Sequence, residues 1–215
     1  MYEFVRGPLM WLILTVFVMG MGVRVFELVR LSRARDQGFY DHFHWGWALR
    51  SIFHWILPLN ETVRQYPVYS AVTYTFHILL LFVPVFVLAH VVLFYESFAI
   101  EWWTLPESAT DVFAMVMVGC VAFLMIRRAV VPYVRIVNAP VDFLLLALIG
   151  LPFLTGLLAR HQLLDYQTML VLHILSGQLL IVLIPFTKLS HMVLFFLTRA
   201  AIGVEFGQRR GTRTW

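Results

Sequence analysis

Five apolar runs, each long enough to cross a bilayer, constrain this chain more than any other feature of it. They cover about residues 8–29, 68–98, 112–131, 139–159 and 166–189 of 215. A bilayer's hydrocarbon core is about 30 Å thick, so about 20 residues of helix span it. Backbone N–H and C=O groups in hydrocarbon must pair within the structure, and runs of this length pair them as helices. Composition agrees: 61% of residues are hydrophobic and 13% charged, against roughly 25% charged in a soluble domain. Mean hydropathy is +0.83. The expected fold is an all-α membrane protein of five transmembrane helices, forming a single domain over residues 1–215.

Some chemistries drop out at once. The one cysteine, Cys120, lies in an apolar run. One cysteine allows neither an intrachain disulfide nor a C-x-x-C-H haem attachment. The net charge of +4 is carried largely by arginine, with Lys188 the sole lysine, and it gives no reason to expect a nucleic acid. The first run lacks a lysine-rich leader and a small-residue cleavage site, so it reads as a retained helix with Pro8 in its first turn.

The links between runs set the expected orientation. The 30–69 segment holds five basic residues, the link after the third run three (Arg127, Arg128, Arg135), and the region from Lys188 onward five. The other side holds Arg6 and Arg160. Thirteen against two, alternating with every span, predicts the N-terminus outside and the C-terminus inside. Within the first inner loop, FYDHFHWGWALRSIFHWILPL is too interrupted to span. It reads as an amphipathic helix in the interface, ended by Pro58. Trp102 and Trp103 read as an outer aromatic belt.

Ionisable side chains inside a membrane are costly and usually functional. His77 and His90 lie in the second run, His173 and His191 in the fifth. Read as one helix, the fifth run puts His173 and His191 eighteen residues apart: five whole turns, on one side, about 27 Å apart. With the two helices antiparallel, His77 and His191 fall towards the inner face and His90 and His173 towards the outer. Two cross-helix pairs at two depths suit bis-histidine ligation of two b-type haems. On an ideal helix His77 and His90 diverge by about 140°. A distortion at Pro84 is therefore required to align them. Four unrelated buried histidines, or one haem with two spectators, are the other readings.

Several neighbours fit a cofactor. Ser176 and Gly177 follow His173 on its face, and Thr73 precedes His77 by one turn; all three leave room for a flat ring, or simply pack helices closely. Lys188 shares the side of His191 and reaches either a haem propionate or the lipid headgroups. His42, His44 and His54 form no complete ligand set, and His161 sits in a short outer link.

The ending IPFTKLSH, with a histidine eighteen residues before its last, resembles the final helix of the NarI-type cytochrome b family, the membrane subunits of respiratory nitrate reductase and related redox complexes. The resemblance also covers the five-span layout and the two histidines in each of the second and fifth spans. It implies two haem b groups, the inner on His77 and His191 and the outer on His90 and His173. It implies exchange of electrons with the quinone pool, menaquinone included, and with an iron–sulfur subunit at the inner face. The long 30–69 segment is unlike the nitrate reductase branch and points to the complexes of sulfate reducers, whose partners include multihaem cytochromes c and other membrane subunits.

The expected function is therefore electron transfer across a bacterial or archaeal cytoplasmic membrane. Tyr95, Glu96, Glu101 and Arg160 are candidates for a quinone or proton route near the outer haem. The rival classes are a small proton or metal transporter and a haem-free anchor.

Overall fold

A computed structural model describes residues 2–212. Among them every regular element is helical: α1 (Tyr2–Arg6), α2 (Pro8–Arg35), α3 (Gln37–Asp41), α4 (Trp45–Ile56), α5 (Glu61–Gln65), α6 (Pro67–Phe86), α7 (Leu88–Phe98), α8 (Glu107–Val130), α9 (Pro132–Val137), α10 (Pro140–Arg160), α11 (Tyr166–Leu183) and α12 (His191–Gly203). A single 3₁₀ turn, Lys188–Ser190, precedes α12, and a π-helical stretch, Val204–Arg209, extends it. Among the described residues six helical stretches are long and apolar enough to cross a membrane. The one beyond the expected five is Lys188–Arg209. The chain forms two compact units: residues 2–5 with 68–180, and residues 6–67 with 181–212.

In the first unit α8 packs on α10. Met117, Val121 and Leu124 are buried from one helix, and Leu145, Leu146 and Ile149 from the other. Gly150 permits the close approach: a Cβ there would lie 3.1 Å from Val121 Cγ1. Small residues at such contacts are the usual means of packing helices where no hydrophobic force separates protein from lipid. Both ends of the pair are pinned. At one, the Arg128 guanidinium donates to the Asp142 carbonyl at 2.8 Å, and the Asp142 carboxylate accepts the Ala139 N–H at 2.9 Å, closing the first turn of α10. At the other, Arg160 pairs with Asp111 at 2.6 Å and with Glu107 at 3.1 Å.

The second apolar run is not one helix. It breaks at Val87, whose φ of −70° and ψ of 131° are extended. Proline inside a helix removes one N–H and crowds the preceding turn, and Pro84 lies three residues before the break. A helix end leaves four carbonyls without partners, a serious cost in hydrocarbon. All four are satisfied here. The Val83 carbonyl takes the Val87 N–H at 3.0 Å, Pro84 the His90 ring, Val85 the Trp102 indole at 2.9 Å, and Phe86 the Leu105 N–H at 2.8 Å. Trp102, expected in an outer belt, folds back to cap the interrupted helix.

In the second unit α4 packs along α12. Gly203 and Gly207 lie directly against Trp47, and Ser51 is wholly buried. Arg199 stacks on Trp55 at 3.9 Å. Arg209 bridges Glu205 at 2.7 Å and Asp36 at 3.5 Å. The amphipathic helix expected within residues 39–59 is present as α4, with Pro58 just past its end, while the first residues of that stretch fall in α3 and the turn after it.

The fifth run corrects the sequence-based expectation. Helix α11 stops at Leu183, and turns carry the chain through Pro185 to Thr187 before His191 opens α12. The five-turn spacing of His173 and His191 on one continuous helix is therefore overturned. Pro185 supplies no N–H and is wholly buried, with Gly20 of α2 shaped to receive it: a Cβ on Gly20 would lie 2.8 Å from Pro185 Cβ. The Thr187 hydroxyl donates to the Leu183 carbonyl at 2.8 Å and accepts the Leu189 N–H at 3.3 Å, stitching the break.

Candidate cofactor site

His90 lies in the first turn of α7, immediately after the break in the second run. Its Nδ1 donates to the Pro84 carbonyl at 2.7 Å, a group freed by that break. His173, two turns into α11, donates from Nδ1 to the Pro152 carbonyl of α10 at 2.8 Å. The two rings face one another with centroids 5.9 Å apart and planes tilted by 32°. The structure brings this pair together from the distorted second span and the fifth.

The hydrogen bonds bear on chemistry. A carbonyl accepts only, so Nδ1 carries the proton and the lone pair of each neutral imidazole falls on Nε2. A ring nitrogen tied to a carbonyl is the usual support of a metal-ligating histidine. Room for the ring is built in. Gly156 lies beside His173, where a Cβ would approach Cε1 and Nδ1 to 3.2 Å; a Cβ on Gly177 would meet nothing within 4 Å. Ser176 is buried and its hydroxyl donates to the His173 carbonyl at 2.9 Å, within the turn that carries the imidazole.

His77 and His191 belong to different units. The His77 Nδ1 donates to the Thr73 carbonyl at 2.8 Å, and the His191 Nδ1 to the Lys188 carbonyl at 2.8 Å. All four histidines therefore share one tautomer. Thr73 acts through its carbonyl; its buried hydroxyl makes no hydrogen bond. Lys188 is exposed, in the 3₁₀ turn that presents His191.

The remaining candidates are more scattered. Tyr95, Glu96 and Glu101 are exposed at and beyond the end of α7. Arg160 is engaged by Asp111 and Glu107, and the His161 Nε2 lies 3.5 Å from Asp111. His42 donates to the Gly38 carbonyl at 2.9 Å and His44 precedes α4. Among the described residues no three His, Cys, Asp or Glu side chains gather as a metal site. Sequence reasoning missed Pro152 and Gly156, one turn apart on α10. Their signal was a proline and a glycine four apart inside an apolar run, which offers a carbonyl and a gap on one face.

No protein-family model matches the chain. A relative from Nitratidesulfovibrio vulgaris (strain Hildenborough), described only as a protein, is 35% identical over 219 residues, spanning 100% of this chain and 97% of its own length.

Proposed function

The chain belongs to the same family as this Nitratidesulfovibrio vulgaris protein, and we propose that it is a membrane di-haem cytochrome b subunit of a respiratory redox complex. The observation that carries the proposal is the facing pair His90 and His173, 5.9 Å apart, each with Nδ1 tied to a backbone carbonyl. A haem takes four ligands from its own macrocycle, so two protein imidazoles complete it. A bare transition-metal site takes three or more protein ligands; none gathers among the described residues.

In this proposal His90 and His173 hold the outer haem. His77 and His191 hold the inner one, an assignment that rests on their depths in the sequence and on the NarI-type resemblance. Bound haem supplies one-electron chemistry; the protein supplies ligands, burial and orientation. The carbonyls of Pro84 and Pro152 hold the outer imidazoles in the ligating tautomer, Gly156 and Gly177 leave space at His173, and Ser176 steadies its turn. Electrons pass between the quinone pool, menaquinone included, and an iron–sulfur subunit at the inner face. Tyr95, Glu96, Glu101 and Arg160 are the polar groups available to a quinone or a proton at the outer end.

We retain five crossings of the cytoplasmic membrane with the C-terminus inside. Were Lys188–Arg209 a sixth crossing, Arg209 and Arg210 would fall outside, against the charge asymmetry of the other links. Reporter fusions after residue 138 and after residue 212 are expected to report the same, inner side.

The test of function is a reduced-minus-oxidised spectrum of the purified chain with a haem assay. The expected result is a b-type signal with two haems per chain. His90→Ala and His173→Ala should each remove the same haem, and the double variant no more than either. A chain that purifies folded without haem, or keeps both haems in His173→Ala, overturns the assignment.

A further inference from the structure

Helix α4 has two apolar faces, and α12 covers one of them. Leu49 and Phe53, on the other, are 44% and 55% exposed, and Leu59 just beyond the helix is 63% exposed. These three line a cavity of about 1050 Å³ together with Arg50, His54 and Arg64. Arg50 also leans over the Trp47 ring at 5.2 Å, which holds its stem against the helix. One carboxylate, Glu61, stands in the same lining.

The lining selects by chemistry. Two guanidinium forks and an imidazole around an apolar floor ask for an anion that carries hydrocarbon. Guanidinium groups match phosphate oxygens two at a time. A free anion would leave Leu49, Phe53 and Leu59 in water, and a zwitterionic lipid would bring its own cation against Arg50 and Arg64 beside the phosphate they match. The cavity is at the upper end of small-molecule sites, which run from about 300 to 1,000 Å³, and so admits a headgroup with the upper part of its chains. Basic pockets beside membrane helices recognise anionic headgroups in this way.

We propose that the α4–α5 groove binds an anionic phospholipid, its phosphodiester held by Arg50 and Arg64 and its chains lying over Leu49, Phe53 and Leu59. The lipid fastens the segment before α6 to the leaflet it faces. The site is independent of haem.

The test uses the full-length chain in detergent, titrated with phosphatidylglycerol or phosphatidylcholine and read by native mass spectrometry. Phosphatidylglycerol is expected to bind at least tenfold more tightly. The double variant Arg50→Gln/Arg64→Gln should bring it to the phosphatidylcholine level, while the control Arg30→Gln/Arg135→Gln leaves it unchanged. Circular dichroism confirms which variants are folded; should the double variant fail to fold, Leu59→Asn and Arg64→Gln alone are read in its place, each expected to weaken binding several-fold. Glycerol phosphate at millimolar concentration should not displace the lipid. Equal affinity for the two lipids, equal loss in the control variant, or displacement by glycerol phosphate overturns the proposal.

Discussion

The indole of Trp102 donates to the carbonyl of Val85 at 2.9 Å, seventeen residues back along the chain. This bond joins the 99–106 loop to the interrupted end of α6. With the Leu105 N–H on Phe86 it satisfies carbonyls that the break at Val87 would otherwise strand. The same break lets the His90 ring reach the Pro84 carbonyl.

Trp102→Phe keeps the ring and removes the donor. A backbone carbonyl left without a partner in hydrocarbon is costly, because no water reaches it there. The variant is expected to unfold at a lower temperature in detergent than the wild type, as read by circular dichroism. Trp103→Phe, at a residue that is 62% exposed, is expected to be close to neutral.

Gly156→Val tests the gap beside His173. The new side chain would begin 3.2 Å from the imidazole and grow into it. The expected outcome is loss of one haem of two with helical content unchanged. Gly119→Val, at a glycine whose added Cβ would meet nothing within 4 Å, should keep both. The haem assay beside circular dichroism separates the two.

Gly207→Leu tests the seam between α4 and α12. Any side chain there collides with the Trp47 ring. Overpacking of this kind typically costs about 1–3 kcal/mol. The 191–212 stretch should become more open to limited proteolysis, while Gly22→Leu, at an open position on α2, should leave the digestion pattern unchanged.

Asp165 opens α11 by accepting the Thr168 N–H at 2.8 Å. The hydrogen bonds from Thr168 hold its carboxyl below the ordinary range. A carboxylate with a lowered folded pKa stabilises above its unfolded pKa, and that stabilisation fades as pH falls through the folded one. Protection of the Thr168 amide against hydrogen exchange should therefore be greater in wild type than in Asp165→Ala near neutral pH. The difference should shrink towards acid. A difference that grows on acidification would contradict the assignment.

The helical, membrane-embedded character of the chain was legible in the sequence, because apolar runs of about twenty residues have few other forms in lipid. So were the amphipathic α4 and an irregularity of the second run near Pro84, since proline inside a helix removes an N–H and crowds the preceding turn. The break of the fifth run was less legible. Proline is tolerated inside membrane helices as well as at their ends, and α10 runs unbroken through Pro152 while α11 stops short of Pro185. The difference lies in neighbours. Pro185 is received by Gly20, about 165 residues away in sequence, and no local pattern records that contact.

The sequence by itself determined which residues lie in apolar runs, where arginine gathers, and which four histidines stand among hydrophobic neighbours. These follow from composition along the chain, which local hydropathy reads directly. Only the tertiary structure decided that His90 faces His173, that the Pro84 and Pro152 carbonyls set their tautomers, and that Trp102 closes the open end of α6. Each depends on a backbone group released where a helix is interrupted, or on a gap left by a glycine on another helix. Such groups find partners through the packed fold rather than through the residues beside them in the chain.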